Sequence, residues 1–191
     1  LIVYQLAEEE YLLVVNASNI NKDWAWINAL NSSFKAKLTN ASEDYSLLAV
    51  QGPKAIEAMQ ALTDFDLASL PFYGHTRTTF AGVENIIIAT TGYTGSGGVE
   101  IYCKNDVVAQ LWEAIFKAGE TFGVQAIGLA ARDTLRLEMG YCLYGNEIND
   151  SSSPIAAGLG WVTRPATAFI NAESIGEQRE KGTQDKLVGF E

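Results

Sequence analysis

Gly92-Tyr93-Thr94-Gly95-Ser96-Gly97-Gly98 runs directly into Val99-Glu100-Ile101-Tyr102-Cys103, and the residues after the glycines decide the fold class. A phosphate cradle needs a glycine turn that opens a helix, because first-turn amides and the helix dipole must converge on the anion. Here the turn leads into an apolar, β-branched run, and the run before it, 84–90, is equally strand-like. The G-x-G-x-x-G spacing is absent as well. The segment therefore reads as a tight turn between two strands. That leaves Tyr93 inside the turn and Glu100 inside an apolar strand to be explained.

Outward from this turn, strand-like runs come in adjacent pairs. Residues 75–80 and 84–90 flank Ala81-Gly82-Val83, and residues 1–6 and 11–16 flank the acidic Ala7-Glu8-Glu9-Glu10. Further strands are expected at 45–51, more briefly at 35–39 and 124–127, and again at 186–191. Single helices fall between them. Asn19 caps one reaching Leu30, with Trp24, Ile27 and Leu30 at helical spacing, and Pro53 suits the first turn of another reaching Leu62. Asn105 or Asp106 caps a third, whose Val107, Leu111, Ala114, Ile115 and Ala118 form one apolar stripe. Two more are expected over 129–139 and 172–180. Paired strands alternating with lone helices predict an α+β fold with antiparallel sheets, arranged as ferredoxin-like split β-α-β elements.

The composition narrows the function. The 191 residues are 48% hydrophobic and 19% charged, a globular balance, and the formal net charge is −10. Such acidity argues against nucleic acid and anionic membranes as partners, because phosphate contacts need a surplus of Lys and Arg. Cys103, Cys142 and His75 are the whole soft-ligand set, with no spacing that suits zinc, so no metal is expected. Both cysteines sit in apolar runs and read as buried thiols. Neither a signal peptide nor an apolar run near ~18 residues is visible, which gives a cytoplasmic reading.

Glu100 is the foremost candidate for chemistry. An acid between Val99 and Ile101 is either an outward position of a half-buried sheet or a carboxylate kept for a ligand. In the second case it suits a pair of parallel N–H donors, such as a 2-amino-4-oxo pyrimidine edge offers. Arg132 and Arg136 lie four apart on one helix face, where they either form surface ion pairs or anchor a carboxylated ligand. Tyr141, Tyr144 and Trp161 read as core residues or as walls for a flat aromatic ligand. His75 has no nucleophile elbow to serve and reads as a polar strand residue.

Several segments, taken in order, resemble the T-protein (aminomethyltransferase) family of the glycine cleavage system. They are Leu1-Ile2-Val3-Tyr4, Tyr11-Leu12-Leu13-Val14-Val15-Asn16-Ala17-Ser18-Asn19, Gln51-Gly52-Pro53 and Gly92-Tyr93-Thr94-Gly95. Val99-Glu100, Gly128-Leu129-Ala130-Ala131-Arg132-Asp133, Arg136-Leu137-Glu138 and Gly158-Leu159-Gly160-Trp161 continue the series. Each motif is weak alone; their ordered succession is specific.

The resemblance implies a folate-binding core over residues 1–185, with 186–191 opening a C-terminal β-barrel. It implies transfer of a one-carbon unit from an aminomethyl-lipoyl H-protein to tetrahydrofolate, with release of ammonia. Carried over by position, Asn16, Tyr93, Glu100, Arg132 and Tyr141 line the folate site, and Glu100 grips the pterin edge. Ile2 and Tyr4 border that site, and Trp161 meets the reacting end. The family's aspartate falls in a Gly-Gly-Ile-x-Asp-Asp stretch that precedes the run starting at Leu1. No catalytic residue is therefore assigned here, and a chain of these residues alone is expected to be an inactive internal fragment. Ser96-Gly97 departs from the acidic turn the family leads one to expect. Two relatives share the implied fold: the folate domain of sarcosine or dimethylglycine dehydrogenases, and a folate-binding iron–sulfur assembly factor. The second carries a Lys-Gly-Cys-Tyr-x-Gly-Gln-Glu signature, and the corresponding region 150–161 has no cysteine.

Overall fold

The computed structural model describes residues 1–190, which divide into two compact units, Leu1–Leu135 and the remainder from Arg136 onward. In the first unit a hairpin, β1 (Ile2–Ala7) and β2 (Glu10–Val14), precedes helix α1 (Ile20–Asn31). Then come β3 (Tyr45–Gln51), α2 (Ala55–Gln60), β4 (His75–Phe80), β5 (Val83–Ala89), β6 (Gly98–Lys104) and α3 (Val108–Gly119). Helix α4 (Leu129–Glu138) runs across the division, and α5 (Ala172–Lys181) belongs to the second unit.

Strands β3 to β6 form one antiparallel sheet in the order β3-β6-β5-β4. The α+β class and antiparallel pairing match the expectation from periodicity. A split β-α-β unit would set one strand between the two that its helix joins. Here two intervene, β6 and β5, between the strands connected through α2. Strands β4, β5 and β6 are a simple meander, and β3 returns along the free side of β6.

The two faces of this sheet are covered differently. Leu48, Val50, Ile86, Ile88, Val99, Ile101 and Cys103 pack with Ala58 and Met59 of α2 and Leu111 and Ile115 of α3. The expected stripe on α3 is this contact, and its Leu111 is fully buried. On the opposite face, Ile87, Ala89 and Tyr102 pack with Tyr4 of the hairpin, flanked by Ile2, Leu6, Leu12 and Val14. His75 helps dock the hairpin: its Nε2–H donates to the Gln5 carbonyl at 3.1 Å, and its ring centroid lies 5.2 Å from that of Tyr4.

Three expected strands are absent. At 35–39, Lys35 adopts φ 56°, and the Asn31 amide takes both Ala36 backbone groups, at 2.8 and 2.9 Å, that a ladder would need. At 124–127 the chain is still closing α3: Gly123 has φ 77°, and Val124 N–H reaches back to Gly119 O at 3.1 Å. Residues 186–190 form no ladder; Leu187 N–H bonds Ala156 O at 2.8 Å. Glu191, the last residue of that expected strand, lies outside the described residues. Asn105 does not cap α3 either, because its side chain bridges Ser46 and the Glu43 carbonyl, each at 2.7 Å.

In the second unit the fixed point is Arg136, 2% exposed, whose Nη1 donates to Glu147 Oε2 at 2.7 Å and to Tyr141 O at 3.0 Å. The Leu143 N–H adds a bond to the same carboxylate at 2.8 Å. Chiefly the Arg136 bond, and then this amide, hold the Glu147 carboxyl below the usual carboxylate range. Helix α5 buries Ile175 and sends Arg179 to Thr163 Oγ1, 2.7 Å away, and to the Gly160 carbonyl. Cys103 is buried as expected, whereas Cys142 is only half-buried.

Candidate functional site

Glu100 sits mid-strand on β6, in register with Ala49 of β3 and Ala89 of β5. Side chains alternate along a strand, so Glu100 shares its face with Tyr102 and opposes Val99 and Ile101. It is not an outward-pointing acid of a half-bare sheet, since the hairpin packs on this face and leaves Glu100 half-buried. The two alanines keep the space around the carboxylate free of bulk.

Three hydroxyls gather there. Thr91 Oγ1 donates to Glu100 Oε2, and the Tyr102 hydroxyl donates to the same oxygen at 3.2 Å. The Tyr4 hydroxyl lies 2.8 Å from Thr91 Oγ1 and 3.2 Å from the Tyr102 hydroxyl. Thr91 is 2% exposed, Tyr4 2% and Tyr102 5%. Burial pushes both phenols above their ordinary value; Thr91's hydrogen bond opposes this at Tyr4, and the Glu100 charge adds to it at both. Both are thus neutral hydroxyl donors at ordinary pH. A carboxylate offers about four acceptor directions. Two are taken at Oε2, and among the described residues Oε1 takes no hydrogen bond.

The glycine turn closes over this face, and Gln51 straps it down. Its Nε2 donates to Thr91 O and Val99 O, both at 3.2 Å, and its Oε1 accepts from the Thr94 hydroxyl at 3.3 Å. The approach is close enough to require glycine at 98, where backbone is in the way, while a side chain at 92 would displace the Gln51 amide from its place. A Cβ on Gly92 would fall 1.8 Å from Gln51 Oε1, and one on Gly98, where φ is 133°, would fall 2.3 Å from Val50 O. The strap presents Tyr93, and the Arg132 guanidinium of α4 stands 4.5 Å over its ring centroid. A cavity of about 560 Å³ is lined by Gln51, Tyr93, Thr94, Glu100, Arg132 and Leu135, among others. That volume is within the range of about 300–1,000 Å³ typical of small-molecule sites.

Of the residues singled out from sequence, Tyr93, Glu100 and Arg132 line one cavity, and Tyr4 joins them through the hydroxyl chain. Ile2 packs beside Tyr4. Asn16 is exposed at the turn before α1, where its carbonyl accepts from Asn19 N–H at 2.9 Å. Tyr141 and Trp161 belong to the second unit, 36% and 71% exposed, so neither is core. Arg136 is no ligand anchor, because Glu147 already holds it. Thr91, Gln51 and Tyr102 escape a reading of the sequence alone. Only Tyr102 carries a signal there, being two residues from Glu100 on the same strand.

The GCVT N-terminal domain profile matches residues 1–167. The chain belongs to the GCVT N-terminal domain family. It is 54% identical over 191 residues to the aminomethyltransferase of Flavobacterium psychrophilum, covering all of this chain and 53% of that protein. It is likewise 54% identical over 193 residues to that of Bacteroides thetaiotaomicron, with the same coverage. The chain thus spans about half the length of the curated relatives it matches. The crystal structure of glycine cleavage system aminomethyltransferase T from Bartonella henselae superposes with a TM-score of 0.82 at 32% identity, covering 94% of this chain and 48% of that one. The α+β architecture is therefore that of this family. Among the described residues, no three His, Cys, Asp or Glu side chains are grouped to hold a metal ion, and no helix is long and apolar enough to cross a membrane.

Proposed function

We propose that this chain is the folate-binding part of an aminomethyltransferase of glycine cleavage. In this reading the whole protein accepts an aminomethyl group from the lipoyl arm of an H-protein. It passes the one-carbon unit to tetrahydrofolate and releases ammonia, in the cytoplasm. The observation that carries the reading is Glu100: a carboxylate on a covered sheet face, fixed through Oε2 and lining a cavity with Tyr93 and Arg132.

The 2-amino-4-oxo edge of the pterin supplies N–H donors for the Glu100 acceptor directions left at Oε1, a charge-assisted contact. Tyr93 offers a ring face to the flat heterocycle, and Arg132 a planar cation to the glutamate tail. Tyr4 and Ile2 back the site through the hairpin. These residues bind and orient tetrahydrofolate so that its N5 is held for the incoming aminomethyl carbon, and rate gained this way is chiefly positional. The role of the family's aspartate is assigned to no residue of this chain.

Glu100→Ala in the full-length protein tests the reading. Tetrahydrofolate affinity should fall more than tenfold, roughly the 1.5–3 kcal/mol of hydrogen bonds to a charged group. Tetrahydrofolate-dependent ammonia release from an aminomethyl-lipoyl carrier should fall with it. An unchanged Kd in a folded variant overturns the assignment.

A further inference from the structure

Three hydroxyls stand around Glu100 Oε2, and they bring three hydrogens between them. Glu100, as a carboxylate, brings none. The Thr91 hydrogen goes to Oε2 and so does that of Tyr102. Thr91 Oγ1 has then spent its only hydrogen, so the 2.8 Å contact with Tyr4 requires the Tyr4 hydroxyl to donate. Every hydrogen is now used, and the 3.2 Å Tyr4–Tyr102 contact shares one already assigned. The chain of donation has one direction, from Tyr4 through Thr91 to Glu100.

Thr91 is itself well fixed. Its carbonyl accepts from Gln51 Nε2 at 3.2 Å. The preceding Thr90 is held by its N–H on Gly74 O at 2.9 Å and by its hydroxyl on Pro71 O at 2.5 Å. A β-branched side chain on such a backbone has little χ1 freedom. The Glu100 backbone is fixed by ladders on both sides, but its side chain has only alanines in register beside it.

We propose that Thr91 is a positioning residue whose hydroxyl holds Glu100 Oε2, so that Oε1 is the oxygen presented to the ligand's N–H donors. This rests on the reading of Glu100 as the folate-binding carboxylate. Thr91 touches no ligand in this arrangement. Its contribution is to make one Glu100 rotamer the resting one, so that binding does not have to select it. The hydroxyl is what the position requires, and the β-branch keeps it aimed.

The test is a binding cycle in the full-length protein, with tetrahydrofolate kept reduced under anaerobic conditions and titrated calorimetrically. Thr91→Val keeps the shape and removes the hydroxyl; its Kd should rise about tenfold. Thr91→Ser restores the hydroxyl and should bind within about threefold of wild type. On a Glu100→Ala background, Thr91→Val should change Kd no further. Melting temperatures of all four variants report the fold separately. Wild-type affinity in Thr91→Val, where Glu100→Ala alone binds weakly, overturns the proposal and leaves the folate site standing. A Thr91→Val effect that persists in full on the Glu100→Ala background also overturns it, because Thr91 would then act through the fold. Wild-type affinity in Glu100→Ala overturns the site reading itself, and this proposal with it. If Thr91→Val melts below the assay temperature, Thr91→Ala replaces it in the same cycle, since it loses the hydroxyl without burying a new apolar group.

Discussion

On one side of β6, Val99, Ile101 and Cys103 are buried to 1% exposure or less against α2 and α3, while on the other Glu100 and Tyr102 meet the hydroxyls of Tyr4 and Thr91. The same seven residues of strand build both faces, yet different physics holds each. The helix side is held by apolar burial, which has no direction and is proportional to area. The hairpin side adds to its own apolar cluster a set of bonds with fixed donors and acceptors, each small in net stability and specific in geometry. Cys103 shows the dry character of the first side: burial foremost, and then the nearby Asp106 charge, pushes its thiol above the ordinary value. The lesson is a division of labour within one strand. The odd-numbered positions carry apolar burial, and the even ones carry the ligand contact proposed for Glu100.

The largest effect that would break this division is expected on the dry face. Leu111 is fully buried against the sheet, and Leu111→Ala should destabilise the protein by about 2–5 kcal/mol through lost burial and the cavity left behind. Measured by denaturant unfolding, that loss should come with a tetrahydrofolate Kd within about twofold of wild type while the variant is folded. A Kd that worsens in step with stability would show the two faces to be one cooperative unit.

The recognition side can be sharpened at Arg132, whose guanidinium lies 4.5 Å from the Tyr93 ring centroid. Arg132→Lys keeps the charge and loses the planar fork and the stacking surface. The expected cost is about fivefold in folate affinity, roughly 1 kcal/mol, in line with a partly exposed cation–π contact and a lost fork. Titrating monoglutamyl and polyglutamyl tetrahydrofolate in parallel locates the effect. If neither binds the variant more weakly, Arg132 only props Tyr93.

How legible this was in the sequence depends on the range of the contacts. The paired strands and the α3 stripe rest on local periodicity, and they stand where periodicity put them, within a few residues. Glu100 was visible because an acid breaks an apolar run. Thr91 was not, because no pattern marks a threonine whose bond to Glu100 is made across the glycine turn and whose contact with Tyr4 spans 87 residues. Gln51 was hidden for the same reason, its contact with Thr91 spanning 40 residues. Arg136 misled in the opposite sense: helical spacing put it beside Arg132, and nothing local announces that Glu147 occupies it. The strand expected at 35–39 failed because Asn31, four or more residues upstream, satisfies the Ala36 backbone first.

The smallest expected effect is a pH dependence confined to the hydroxyl side. Tyr102 has its phenol raised, by burial first, then by the Tyr4 hydrogen bond and the Glu100 charge. A group whose folded value lies above its unfolded one binds its proton more tightly when folded. Its contribution to stability is therefore complete below the unfolded value, about pH 10, and is lost as pH rises past that point. By linkage, one such phenol costs about 0.8 kcal/mol by pH 10.5 and steepens towards about 1.4 kcal/mol per pH unit beyond it. Tyr102→Phe removes this titration, and it also removes one donor from Glu100, so the neutral-pH stabilities of the two proteins need not agree. The slopes are what differ: between pH 9 and 10.5 the wild type should lose more stability than Tyr102→Phe, with Leu111→Ala tracking the wild type because its substitution leaves the hydroxyl side intact. Parallel slopes for wild type and Tyr102→Phe would mean that the buried phenol is not held neutral by its surroundings, and the contrast between the two faces of β6 would lose its electrostatic half.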